Sequence, residues 1–254
     1  MQIKRTAWSC GAATAAILIV PLLVSPATIL ADNGDASPTL SFFSGGNGAH
    51  ADWLATSDQP PGDTDGQAIR LLTVNGAPTF AQGYAGILVH HVTGIPATSF
   101  PDSSFWNRTP SPYFFEPYTL GSPRLVVEFQ DATGQYSGDA ELDAAVRGNG
   151  WEHVSATDDY PNSGWDIHSA TCPFLYHQTW TVAQGCHATE TVLSVYIVAD
   201  AYGIYHLIDD IKVDGKTFSS ASDNGGGIND PAGPDLTTDL SLLPPVLVLS
   251  QPQQ

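Results

Sequence analysis

From residue 40 onward, apolar positions recur every second residue over short stretches, and turn-forming residues close each stretch. Residues 68–74 read Ala-Ile-Arg-Leu-Leu-Thr-Val, 84–93 carry Ile87, Leu88 and Val89, and 124–130 read Arg-Leu-Val-Val-Glu-Phe-Gln. Val192, Ser194, Tyr196 and Val198 alternate with Leu193, Val195 and Ile197, and a further run extends from Ile204 to Val213. Successive side chains of a strand point to opposite faces, so such runs, rich in β-branched and aromatic residues, predict half-buried strands. The 24 glycines and 19 prolines leave little room for uninterrupted helix. Residues 139–147 form the one stretch that reads as a short helix, with an alternating strand as its competitor. The expected fold class is all-β, a two-sheet antiparallel β-sandwich of the jelly-roll type.

The two ends depart from this pattern. Lys4 and Arg5 precede a mostly apolar run, Ala12–Val24, and small residues follow it as far as Ala31. Positive, then apolar, then small is the order of a secretory signal peptide. The run falls short of the roughly 20 residues a spanning helix needs, and Pro21 and Pro26 interrupt it. Residues 1–31 are therefore expected to be removed on export, leaving a secreted, extracellular chain with no membrane segment. Residues 32–39 read as a loose lead-in, 40–218 as the sandwich domain, and 219–254 as a flexible tail rich in glycine and proline.

Charge narrows the partners. The formal net charge is −18, and losing Lys4 and Arg5, the two charged residues of the leader, takes it to −20. Binding to nucleic acid needs lysines and arginines that displace counterions from phosphates, so that class is excluded. Like-charge repulsion also favours a neutral polysaccharide over an acidic one. Export removes Cys10 and leaves Cys172 and Cys186, an even pair that in an oxidising compartment is expected to form a disulfide; two free thiols are the alternative. A zinc site is disfavoured, because no Cys-x-x-Cys pair is present.

The stretch Val198–Gly215, an aromatic-bearing strand that runs into Ile208, Asp209, Asp210 and Ile211, resembles the closing strand of galactose-binding-like and carbohydrate-binding jelly rolls. Gly66–Leu71 followed by Tyr84–Ile87 is similar to the early strands of the same modules. Gly121–Phe129 resembles a strand of exported bacterial proteins of unassigned function. This likeness spans roughly residues 40–217 and is to a fold superfamily, and such folds host many functions. It implies sugar binding and a structural calcium held in part by an acidic residue of the closing strand. Calcium takes six to eight oxygen ligands, and Asp209, Asp210, Asp63 and Asp65 are the candidates. The plainer alternative makes Asp63 and Asp65 turn formers. Asp139, Glu141 and Asp143 read as a solvated face.

Sugar recognition needs flat aromatic rings that stack on C–H faces, with polar groups beside them to fix hydroxyls. Residues 100–118 hold seven aromatics and four prolines in nineteen positions, and read as a stiff, irregular loop. Trp106, Tyr113 and Tyr118 are the expected platform, with Asn107, Arg108 and Glu116 as hydrogen-bonding partners. The alternative folds these aromatics down onto the sandwich. Signals for catalysis are missing: there is no Gly-x-Ser-x-Gly elbow, no His-x-His and no His-Glu-x-x-His. The expected function is non-catalytic binding of a neutral carbohydrate. Two alternatives stay open: a secreted structural or interaction module, and a glycan-active hydrolase or lyase using a carboxylate pair drawn from Glu116, Glu128, Glu141, Glu152 and Glu190.

Overall fold

The computed structural model describes residues 37–45, 48–73, 84–100, 103–109, 123–143, 150–157, 164–200 and 205–224. The leader, residues 225–254, and Tyr113, Glu116 and Tyr118 lie outside the described residues. The described part is an all-β sandwich of two antiparallel sheets. Thirteen strands follow in chain order: β1 Thr39–Gly45, β2 His50–Ala55, β3 Gln67–Leu72, β4 Tyr84–His90, β5 Ser104–Arg108, β6 Arg124–Gln130, β7 Tyr136–Asp143, β8 Glu152–Ser155, β9 Trp165–Ser169, β10 Leu175–Gln178, β11 Thr191–Asp200, β12 Tyr205–Val213 and β13 Lys216–Phe218. One sheet runs β1-β4-β11-β6-β7-β9-β10, and the other β2-β3-β12-β5-β8 with β13 paired to β12.

The period-two pattern decides what lies between the sheets. Leu125, Val127 and Phe129 of β6 face Val195 and Ile197 of β11, Ala140 and Leu142 of β7, and Ile167 of β9, all in one buried cluster. The second sheet adds Ile69 and Leu71 of β3, Phe105 of β5, Val154 of β8 and Ile208, Ile211 and Val213 of β12. Burying each large apolar side chain contributes about 1.5–3 kcal/mol, so this layer supplies the main driving force for the fold. The residues between them in sequence necessarily project outward, and on those two outer faces the polar chemistry collects.

Three expectations change. The aromatic segment is not irregular throughout: Ser104–Arg108 is strand β5, paired to β12 and β8, because Phe105 and Asn107 alternate with Trp106 and Arg108 across the sheet. The stretch from Asp139 to Asp143 belongs to strand β7, so the alternating reading holds there and the helical one does not. The α-helix among the described residues is instead α1, Trp180–Cys186, where Thr179 caps the N-terminus by accepting from the Val182 amide. Its inner face, Trp180, Ala183 and Cys186, packs on the core. Cys172 and Cys186 form a disulfide with Cα atoms 5.6 Å apart, tying the approach to β10 onto that helix.

Candidate functional site

The first cluster sits on β12 where its pairing with β5 loses register between Asp209 and Lys212. Asp210 lies there at φ 45°, a left-handed conformation that Asp tolerates better than most residues. Such a bulge re-aims side chains, and here it lets two consecutive carboxylates serve one spot. Asp63, from the turn before β3, completes the group: oxygens of Asp63, Asp209 and Asp210 all lie within 4.8 Å of one another. Asp209 is fully buried. Its Oδ1 accepts from the Asp210 amide at 2.8 Å, while its Oδ2 and Oδ2 of Asp63 are buried with no hydrogen-bond partner.

Burial pushes the Asp209 carboxyl up to about 8, partly offset by the Asp210 amide and reinforced by the charges of Asp63, Asp210 and Asp65. Asp210 is raised as well, again first by burial and then by Asp63 and Asp65. Buried, unpaired carboxylate oxygens cost several kcal/mol each unless a proton or a cation meets them. An all-oxygen, hard-donor set of this kind fits calcium or magnesium far better than zinc. Asp65 stands apart, since its Oδ1 already accepts from Gln59 Nε2 and the Gln67 amide, both at 2.8 Å.

Next to this cluster on the same outer face lies Trp106, the register partner of Asp209 across β5–β12 and of His153 across β5–β8. The Trp106 and His153 rings are 5.1 Å apart. Arg108, two residues on, shares that face and donates from Nη1 to Asp58 Oδ1. Trp151 Nε1 donates to the same oxygen at 3.0 Å. Two half-buried indoles and a guanidinium–carboxylate pair thus meet on one side of the six-stranded sheet. Asn107 does not join them. It points into the sandwich, 1% exposed, with neither amide atom hydrogen-bonded, because strand alternation separates it from Trp106 and Arg108.

The outer face of the seven-stranded sheet carries a network that the sequence reading passed over. Ser194 of β11, Glu128 of β6, Asp139 of β7 and His168 of β9 stand in one row across four strands. Ser194 Oγ donates to Glu128 at 2.5 Å, and Tyr196 Oη donates to the other oxygen at 3.2 Å. The Tyr136 hydroxyl donates to Asp139 Oδ2, and Asp139 Oδ1 lies 2.9 Å from His168 Nδ1, outside hydrogen-bonding angle. Asp139 is 1% exposed, so the expected solvated acidic face is in fact part of a packed network. The close Asp139 carboxylate holds the His168 imidazole above its ordinary value, against the opposing effect of burial. Burial, then the hydrogen bond to Asp139, raises the Tyr136 hydroxyl, and burial raises Tyr196 beside Glu128. The signal was present in period two, Asp139-x-Glu141 on one strand and Asp166-x-His168 on another. What the sequence lacked was the register that sets them side by side.

No protein-family model and no curated protein matches this chain. Among solved structures it is similar to an arabinose-bound α-L-arabinofuranosidase, MgGH51, at 11% identity and a TM-score of 0.36, over 68% of this chain and 24% of that one. It is also similar to TmCBM61, solved in complex with β-1,4-galactotriose, at 9% identity and a TM-score of 0.31, over 70% of this chain and 88% of that one. The chain therefore spans about a quarter of the arabinofuranosidase's length.

Proposed function

We propose that this is an exported, non-catalytic β-sandwich protein that binds neutral carbohydrate outside the cell and is braced by a calcium ion at Asp63, Asp209 and Asp210. The observation that carries the binding part is the meeting of Trp106 and Trp151 with the Arg108–Asp58 pair on one solvent-facing sheet surface. An indole offers a flat apolar surface to the C–H face of a sugar, and a guanidinium already held by a carboxylate presents fixed donors to its hydroxyls. In the calcium part, the ion would be held by the three aspartates and would supply the positive charge that their buried oxygens lack. Neutrality of the ligand follows from the −20 of the exported chain, which repels uronates and sulfated glycans.

Affinity electrophoresis through gels containing neutral polysaccharides tests this reading. The wild-type chain is expected to be retarded by at least one of them, and Trp106→Ala to weaken that interaction by about tenfold, roughly the effect of losing 1.4 kcal/mol. Unchanged mobility of the wild-type chain in every gel would contradict the proposal. Trp106 is half-buried against His153, so circular dichroism and thermal melting of the variant check that it is folded before its mobility is read.

A further inference from the structure

We infer that the opposite face of the sandwich holds a second, independent saccharide seat, built on edge strand β10 and the two strands beside it; this rests on the carbohydrate reading above. Of the four large hydrophobic side chains that stand exposed among the described residues, three lie at this place: Phe174 at 59%, Tyr176 at 49% and Tyr136 at 42%. Phe174 and Tyr176 flank Leu175, whose side chain turns to the core and whose register partner is Ile167. They therefore share the outer face with Asp166 and His168, the residues that flank Ile167. The contacts agree: the Phe174 and His168 rings are 4.7 Å apart, and the His177 amide donates to Asp166 Oδ1 at 3.0 Å. One strand further in, Asp139 and Glu141 are the register partners of His168 and Asp166.

The result is a ledge of exposed rings beside Asp166 and His168. It is backed one strand further in by Asp139, which is buried and bonded by Tyr136, and by Glu141, which lies 3.8 Å from Arg124. Asp166 is the carboxylate of the three that a ligand on the rings can reach. Neighbouring strands lie roughly 4.8 Å apart and alternate residues roughly 6.7 Å apart, so the rings and Asp166 fall within reach of one ligand. An ionised carboxylate only accepts hydrogen bonds, so its complement is a surface of donating hydroxyls. Exposed rings want an apolar face, and a pyranose or furanose offers both within one unit. The Asp166 carboxylate rejects anionic glycans by charge. The rings are also held in place. Phe174 keeps φ 45°, a conformation a bulky side chain adopts only when its surroundings impose it, and the Cys172–Cys186 bridge fixes the chain two residues upstream. A protein with seats on both faces binds two chains of a polysaccharide, or two segments of one, and gains avidity without new contacts.

The same affinity gels separate the two seats, using the full chain and its variants Trp106→Ala, the double substitution Phe174→Ala with Tyr176→Ala, and all three combined. Both aromatics are exposed, so the double variant is expected to melt as wild type does. The double variant is expected to lose about tenfold in apparent affinity for the neutral polysaccharide, Trp106→Ala to keep a residual retardation, and the triple variant to lose it. Retardation of the double variant equal to wild type would overturn the second seat while leaving the first reading intact. No retardation of wild type in any neutral gel would overturn both. Retardation of wild type by cationic chitosan in place of the neutral glycans, abolished in the double variant, would overturn the assignment of a neutral ligand to this face.

Discussion

Asp209 concentrates the energetic argument for a cation in one side chain. Its carboxyl is raised from 3.8 to about 8 in the fold, so the folded state holds the proton more tightly than the unfolded chain does. The stability tied to that proton is fully present below pH 4 and is lost as pH rises through about 8. Without a divalent cation, the Asp209 contribution therefore falls across this window, and with calcium the ion takes the proton's place. Asp209→Asn separates the two effects. At pH 8 in chelator, the variant is expected to melt at or above wild type, because a buried charge is gone. Its melting temperature is expected not to respond to added calcium. Equal calcium responses in both chains would remove Asp209 from the site. His168 makes the opposite test. Its imidazole is raised by the adjacent Asp139 carboxylate, so its stabilising charge is present below pH 6.5 and is lost as pH climbs through the raised value. NMR titration is expected to place His168 above an exposed histidine of the same chain, and Asp139→Asn to bring it down. An unchanged His168 titration in the variant would break the link.

At the scale of elements, the disulfide does more than close a loop. Cys172 and Cys186 are separated by 14 residues, and a bridge of that span contributes about 3 kcal/mol in the chain-entropy account. Replacing both cysteines with serine is expected to lower unfolding stability by about that amount and to raise hydrogen exchange along β10 selectively. Exchange rising uniformly across both sheets would show that the bridge stabilises the fold without ordering this edge. Elements also show where sequence reasoning reached. Strands β3, β4, β6, β11 and β12 follow from their short β-branched, apolar runs, although on β4, β6 and β11 the outer face is also partly buried, by Leu88, Val126, Tyr196 and Val198. β5 was hidden because prolines at 101, 110 and 112 frame it closely, and composition outweighed the five residues of alternation between them. Helix α1 was hidden because seven residues give too few turns for a helical period to declare itself; its start is set by the Thr179 cap and its packing by the bridge. Asp63, Asp209 and Asp210 were legible as candidate carboxylates, and the fold brings their oxygens within 4.8 Å of one another; the bulge that gathers them was not legible. The Tyr136–Asp139–His168 network was not legible, because it depends on register across β6, β7, β9 and β11.

For the molecule as a whole, the surplus of negative charge bears on both outer sheet faces. Twenty-six acidic residues against eight basic ones oppose compaction by self-repulsion, and the proposed cation at Asp63, Asp209 and Asp210 would lower that cost at a site where three carboxylates crowd together. Saturating calcium is thus expected to raise the melting temperature of the intact chain by about 5–10 °C, the shift that roughly 2.7 kcal/mol produces in a domain near 200 residues. A melting curve identical in calcium and in chelator would remove the ion from the account. The outer faces then carry different chemistry: two indoles with a guanidinium–carboxylate pair on one, and exposed rings beside Asp166 and His168 on the other. Under the proposal, both would take a neutral ligand rich in hydroxyls. The most direct measurement is the mobility of the chain from residue 32 onward in native gels cast with a panel of neutral polysaccharides, with polygalacturonate as the anionic control. Retardation by one or more neutral members and none by polygalacturonate is the predicted result. Unaltered mobility in every neutral gel, or retardation by polygalacturonate alone, would contradict it.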